Sequence, residues 1–163
     1  MNAIFYNNSI AKLILWKGFS TIMLFGFVLT KKSKKEMSAA SIRHEQIHQY
    51  QYVECMIVGL LLALFPTICC SAWWISIVPF FYYIIYLSEW LFNIILECIK
   101  NDYNSFQDTN TAAYYAISME QEAYENQSKE SYLQNRRWFA WLSALGATVI
   151  FLLYAFILYF IYP

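Results

Sequence analysis

The residues best suited to chemistry lie in one pentapeptide, where His44, Glu45 and His48 occupy the first, second and fifth positions. On a helix, residues four apart share one face, so the two imidazoles could hold one zinc ion. Glu45 would then lie beside the metal, where its carboxylate can accept a proton from a zinc-activated water. The chain has only two histidines and both fall in this motif, which favours a shared site over two unrelated surface residues.

A catalytic zinc site keeps three protein ligands, so one more ligand must come from another part of the chain. Glu120 is the best source, and Glu122 is the alternative, either as the ligand itself or as a residue that supports the ligands. Both belong to a stretch rich in Ala, Glu and Gln that predicts a helix over 112–137. The motif helix is predicted to begin after Ser38, which can accept a hydrogen bond as its N-cap.

Three further polar residues are candidates for the site. Gln51 follows His48 by three positions on the same helical face, where it could hydrogen-bond a ligand or simply face the membrane interface. Glu89 lies in a long apolar run, where a carboxylate indicates either function or a structural partner such as Arg43 or a tyrosine. Tyr124 could donate to a developing oxyanion or anchor the protein at the interface, as could Tyr114, Tyr115 and Tyr132.

The composition places these residues in a membrane protein. Hydrophobic residues make up 60% of the 163-residue chain and charged residues only 13%, whereas soluble domains carry about 25% charged residues. Eleven basic residues balance eleven acidic ones, so no net field attracts nucleic acid. A disordered chain, a nucleic-acid-binding protein and a secreted disulfide scaffold are excluded on these grounds.

The hydropathy pattern predicts a single membrane-embedded domain over 1–163 that is mainly α-helical and polytopic. Three transmembrane helices are expected in the lipid bilayer, at about 53–70, 73–98 and 138–162, since roughly 20 apolar residues cross its core. All Lys and Arg residues fall outside these spans, so the positive-inside rule places both polar regions at the cytoplasmic face. No cleavable signal peptide is expected.

The shorter apolar segment over 13–30 has a different pattern. Its unbroken part, 19–30, is too short to span a bilayer and is rich in β-branched and aromatic residues, which predicts a strand or hairpin with a bulge at Gly26. A tilted or re-entrant helix is the alternative. The segment 101–110 is predicted to be a loop, and the four cysteines are predicted to be buried free thiols.

The motif His44-Glu45-x-x-His48, followed by Glu120-x-x-Ala123, resembles the gluzincin clan of zinc metallopeptidases. The chain also looks like short bacterial integral-membrane proteins whose signatures here cover 43–51 and 118–124. The resemblance implies zinc on His44, His48 and Glu120, Glu45 as general base, and a strand edge that binds peptide substrate. It also implies a bacterial inner membrane. Clan members often have an Asp that orients a histidine where this chain has Tyr124, so that support must come from elsewhere.

The leading hypothesis is therefore an integral-membrane zinc peptidase with one zinc per chain, acting on peptides or membrane proteins at the cytoplasmic face. One alternative is a non-catalytic membrane protein with a degenerate peptidase site. The other is a membrane di-iron enzyme, since Glu45-x-x-His48 is also a di-iron motif. The carboxylates available to such an enzyme are Glu54, Glu89, Glu120 and Glu122.

Overall fold

A computed structural model of the protein describes residues 3–15, 18–100 and 105–143. Within these residues the protein is mainly helical, as predicted, with a small sheet ahead of the longest helix. The α-helices are α1 (Ser9–Ile14), α2 (Ala39–Cys69), α3 (Phe81–Lys100), α4 (Phe106–Tyr115), α5 (Ser118–Asn126) and α6 (Tyr132–Asn135). Two 3-10 helices lie at Ala72–Phe80 and Ala140–Ser143.

The sheet contains β1 (Ile4–Phe5), β2 (Thr21–Leu24) and β3 (Phe27–Thr30) in the order β1–β3–β2, so β2 lies at an edge. β2 and β3 pair antiparallel around Phe25 and Gly26, whose φ angles are +51° and +80°. Two residues with positive φ form the tight turn whose twist suits a hairpin. The predicted hairpin is confirmed, and the re-entrant helix is wrong. Gly26 lies in the turn and not at a bulge.

Helix α2 carries both the histidine motif and the first predicted span. It begins where predicted, because the Ser38 side chain accepts a 3.0 Å hydrogen bond from the Ser41 backbone N–H. Its 31 residues extend about 46 Å at 1.5 Å per residue. The motif region and nearly all of the predicted span 53–70 therefore belong to one continuous helix, with the motif toward its N-terminal end.

Two helical segments are long and apolar enough to cross a membrane, Ala39–Cys69 and Ala72–Lys100. They contain the predicted spans 53–70 and 73–98, although the second starts as a 3-10 helix that includes Pro79. Of the third predicted span, 138–162, only the first residues are described, and they form a turn and a 3-10 helix. The remainder of that prediction, from residue 144 onward, lies outside the described residues.

The segment after α3 differs from its prediction in two places. Part of the predicted loop 101–110 is helical, because α4 begins at Phe106 with Ser105 as its N-cap; residues 101–104 lie outside the described part. The predicted helix over 112–137 is broken into α4, α5 and α6. The break comes at Ile117, whose backbone is extended at φ −65° and ψ 127°, so that α5 starts in a new direction.

The four cysteines are free thiols in the structure, in agreement with the prediction, but only Cys55 is buried. Cys69 and Cys98 are exposed on helical segments that are apolar enough to span a membrane, and Cys70 is exposed directly after the first of these segments. The predicted burial is wrong for these three, because they lie on the outer surface of the protein fold.

Candidate metal centre

Two helices bring the candidate ligands together. His44 and His48 lie one turn apart on the buried face of α2, and Glu120 lies in the first turn of α5. All three side chains are buried, and their ligand atoms lie within 4.8 Å of one another, so the group could hold one metal ion. Among the described residues, this is the group of His, Cys, Asp and Glu side chains close enough to share a metal.

The two imidazole rings and the Glu120 carboxylate form a compact triangle of three ligand groups. The Nε2 atoms of His44 and His48 are 3.1 Å apart. Glu120 places Oε1 at 3.3 Å from Nε2 of His48 and Oε2 at 3.4 Å from Nε2 of His44. Oε2 is buried and has no hydrogen-bond partner in the described part of the chain. A buried carboxylate oxygen without a donor is costly unless a cation occupies the space it faces.

The position of Glu120 depends on a carboxylate from α3. The cap position of α5, Ile117, makes no side-chain cap bond. Instead, Glu89 accepts hydrogen bonds from the Ser118 backbone N–H at 2.9 Å and from its hydroxyl at 2.8 Å. The partner of Glu89 is thus Ser118, and the predicted pairing with Arg43 or a tyrosine is wrong. Glu89 holds the start of the helix that carries Glu120.

Gln51 determines which nitrogen of His48 carries a proton. Its amide group donates to the Met119 carbonyl oxygen at 3.0 Å and to Glu122 Oε2 at 3.1 Å, and both of these atoms only accept. Its oxygen therefore faces His48 Nδ1 at 2.7 Å, and Nδ1 must be the donor. His48 consequently presents the lone pair of Nε2 to the triangle. Of the two roles considered for Gln51, the structure shows the hydrogen bond to the candidate ligand.

Glu45 is half-buried and lines a cavity of about 710 Å³ together with His44. The other walls come from the residues before β2, from α3, and from α4 with Tyr124 of α5. Their aromatic members are Phe19, Tyr86, Trp90, Tyr114, Tyr115 and Tyr124. The site therefore has space beside it for a ligand larger than water, with the Glu45 carboxylate at the boundary.

Three tyrosines touch the candidate ligands, and one of them, Tyr82, has its hydroxyl 3.5 Å from His48 Nδ1. The ring of Tyr124 packs against the ring of His44, with centroids 4.6 Å apart and planes inclined at 64°. The Tyr86 hydroxyl donates to Glu120 Oε1 at 2.7 Å. Tyr86 was not predicted, although it lies one helical turn before Glu89 on the same face of α3. Of the tyrosines considered as oxyanion donors, Tyr132 instead donates to Glu122 at 2.8 Å.

Glu122 does not reach the histidines. Its carboxylate accepts from Arg136 Nε at 2.6 Å and from Arg136 Nη2 at 3.1 Å. Arg136 also binds Glu54, at 2.5 Å and 3.0 Å. Burial alone would lower the pKa of Arg136, but its bonds to Glu54 and Glu122 outweigh burial and raise that pKa. Arg136 therefore stays charged between two carboxylates. Sequence reasoning missed it, and the one available signal was its charge opposite Glu54 at the ends of two predicted spans.

The surroundings of Glu120 favour its ionised form. Burial would raise the pKa of its carboxyl group, but the positive charge of His48 in its protonated form, the close imidazoles of His44 and His48, and the hydrogen bond from Tyr86 together lower that pKa below its ordinary value. A carboxylate that stays ionised is the form that binds a cation.

No protein-family model, curated protein or solved structure matches this chain. The proposal of a function therefore depends on the geometry of the site and on the two helical segments that are apolar enough to cross a membrane.

Proposed function

We propose that the protein is an integral-membrane zinc peptidase of gluzincin type, with His44, His48 and Glu120 as zinc ligands. The observation that carries the proposal is the triangle of ligand atoms. Zinc bonds of 2.0–2.1 Å in tetrahedral geometry place neighbouring ligand atoms about 3.3 Å apart. The 3.1 Å between the two Nε2 atoms is close to that spacing. Each nitrogen also has one oxygen of the Glu120 carboxylate at 3.3 or 3.4 Å, and one ligand atom from each of the three residues lies within 4.8 Å of the others.

Zinc in such a site supplies a Lewis acid that polarises a peptide carbonyl and lowers the pKa of the attacking water. Glu45 is the residue placed to move the proton. It follows His44 by one residue, about 100° around the helix, and its carboxylate borders the cavity rather than the ligand triangle. It accepts the proton of the attacking water and passes it to the leaving amine.

The cavity supports peptides or membrane proteins as substrates. Leu87 lines the cavity and is 58% exposed on the outer surface of α3. The cavity wall is thus continuous with a surface that is apolar enough to face lipid. Glu45 and Lys32 are the charged residues among those that line it, which favours uncharged side chains near the cleaved bond. Because the Lys and Arg residues flank the predicted spans, we expect the site to face the cytoplasm, and the resemblance implies a bacterial inner membrane.

The carboxylates around the site favour one metal over two. A di-iron centre needs further carboxylates facing the histidines. In the structure Glu54 and Glu122 bind Arg136, and Glu89 binds Ser118. This supports a mononuclear site.

The Glu45→Gln variant tests the mechanism. Glutamine keeps the shape but cannot accept the proton, so zinc content should stay near one per chain while turnover falls roughly 10²–10⁴-fold. Glu125→Gln makes the same change at an exposed position of α5 and should alter neither. Zinc is measured by elemental analysis of the purified protein in detergent, and cleavage by mass spectrometry of a mixed peptide library. Iron in place of zinc, or zinc without cleavage by the unmodified protein, would contradict the proposal.

A further inference from the structure

A buried chain of polar side chains leads away from the candidate metal centre to the segment that follows α5. We propose that Arg136 is a positioning residue for this centre, acting through Glu122 and Gln51 to hold the ring of His48. The inference rests on the proposed zinc site and adds to it a residue 88 positions away from the histidine it serves.

The first link joins His48 to Gln51. A metal-binding histidine needs its second ring nitrogen held by an acceptor, which fixes both the tautomer and the plane of the ring. Gln51 Oε1 provides that acceptor at 2.7 Å from His48 Nδ1. A glutamine can rotate its amide by half a turn and present its N–H groups instead, so this link is only as good as the orientation of Gln51.

The second link fixes that orientation. Gln51 Nε2 donates to the Met119 carbonyl oxygen at 3.0 Å and to Glu122 Oε2 at 3.1 Å. A half-turn of the amide would bring its oxygen against these two acceptors and its N–H groups toward His48. The negative charge of Glu122 makes this reversed state the more costly one, because a hydrogen bond to a charged group is stronger than one between neutral groups.

The third link holds Glu122 in place. Arg136 donates through Nε and Nη2 to the two oxygens of Glu122, at 2.6 Å and 3.1 Å. Through Nη1 and Nη2 it also binds Glu54 of α2, at 2.5 Å and 3.0 Å. The ionic groups of Arg136, Glu54 and Glu122 are almost fully buried, with side chains only 2–4% exposed.

The shape of the arginine side chain explains why this position carries Arg. A guanidinium group is a rigid fork that can bind two carboxylates at once, whereas a lysine ammonium is a single point charge. Glu54 also accepts from the Phe139 backbone N–H at 2.8 Å and from Trp141 Nε1 at 3.0 Å. The chain segment around Arg136 is thus docked on α2 at Glu54, six residues beyond His48.

Three variants separate the links. Gln51→Leu removes the acceptor for His48 directly. Arg136→Lys keeps the charge but loses the fork, and Arg137→Lys makes the same change at the exposed neighbour as a matched control. The protein is used at full length in detergent, and its folding is checked by thermal unfolding monitored by circular dichroism.

The first measurement uses metal-free protein labelled with ¹⁵N at its histidines. The chain has only two histidines, so only two imidazole rings have to be assigned. At a pH where the ¹⁵N shifts show a neutral His48 ring, His48 should carry its proton on Nδ1, hydrogen-bonded to Gln51. Gln51→Leu should abolish that preference, Arg136→Lys should weaken it, and Arg137→Lys should leave it unchanged. Since this readout needs no metal, it tests the relay even if the proposed zinc site fails.

The second measurement is the zinc dissociation constant from competition with a chelator. Loss of a bond that supports a ligand weakens metal binding roughly 10–100-fold. We expect this loss for Gln51→Leu, a smaller loss of the same sign for Arg136→Lys, and none for Arg137→Lys. A folded Arg136→Lys protein with the wild-type His48 tautomer and zinc affinity would overturn the proposal. If Arg136→Lys does not fold, an unchanged tautomer in Gln51→Leu would overturn it instead.

Discussion

The two halves of helix α2 differ in which kinds of side chain are buried and which are exposed. In the half that carries the motif, many of the buried side chains are polar. The buried polar residues there are His44, His48, Gln49, Gln51 and Glu54. In the other half, the large apolar side chains are exposed, and they are Ile57, Leu60, Leu61, Leu62, Leu64, Phe65 and Ile68. One continuous helix therefore has polar residues inside at one end and apolar residues outside at the other.

This contrast shows that the two halves are adapted to different surroundings. An exposed stripe of leucine is unfavourable in water but suits a lipid bilayer, where apolar side chains lose nothing by facing outward. Buried polar groups are tolerated only where each finds a partner. Several buried polar side chains of the first half have such partners, as in the 2.8 Å bond from Gln49 Nε2 to the Gly26 carbonyl oxygen, whereas His44 Nδ1 and Gln49 Oε1 have none among the described residues. The polar half is therefore suited to a binding site, and the apolar half is suited to contact with lipid.

The largest effect is expected from removing a candidate metal ligand in the polar half of α2. His48→Ala should abolish stoichiometric zinc, because the two remaining ligands of the site cannot hold the ion well, and peptide cleavage should be lost with it. Elemental analysis of purified protein measures the zinc, with Leu60→Ala, at an exposed position of the same helix, as the control. Full zinc content in His48→Ala would remove this histidine from the site.

Breaking the apolar half should affect membrane insertion instead of metal binding. Leu61 is 67% exposed and lies at the middle of the predicted span 53–70. An aspartate at the centre of a spanning helix costs about 3 kcal/mol, so Leu61→Asp should lower the equilibrium constant for membrane insertion roughly 100-fold. Ser128→Asp places the same charge at an exposed position of the polar region and should not change insertion. Carbonate extraction of membranes separates inserted from peripheral protein, and equal insertion of both variants would contradict the assignment of this half to lipid.

How much of the site could be predicted from the sequence depended on how far apart along the chain the contacting residues lie. The histidine pair, Glu45 and Gln51 were found because helical periodicity alone places them on neighbouring faces. The choice between Glu120 and Glu122 stayed open, since it depends on which face of α5 meets α2. Tyr86 and Arg136 were missed because their contacts join residues 34 and 82 positions apart, which no local pattern encodes.

The smallest effect is expected where a bond supports the site from outside. Glu89→Gln keeps the shape of the side chain but loses the charge that holds Ser118 at the start of α5. A hydrogen bond to a charged group contributes about 1.5–3 kcal/mol, and the amide that remains can still accept, so we expect a loss near the low end of that range. Thermal unfolding measures it.

Ser118→Ala removes the hydroxyl half of the same interaction and serves as the partner in a double-mutant cycle. Because the two residues are in contact, the loss of stability in the double variant should be smaller than the sum of the losses in the two single variants. Strict additivity would show that Glu89 does not act through Ser118.

The most direct test of the central claim is the zinc content of Glu120→Gln, compared with Glu125→Gln, the same change at an exposed position on the same helix. Glu120 alone among the acidic residues of α5 reaches both histidines, at 3.3 and 3.4 Å. The account predicts that Glu120→Gln loses stoichiometric zinc while Glu125→Gln keeps about one zinc per chain. Full zinc content in a folded Glu120→Gln protein would contradict a site built from His44, His48 and Glu120.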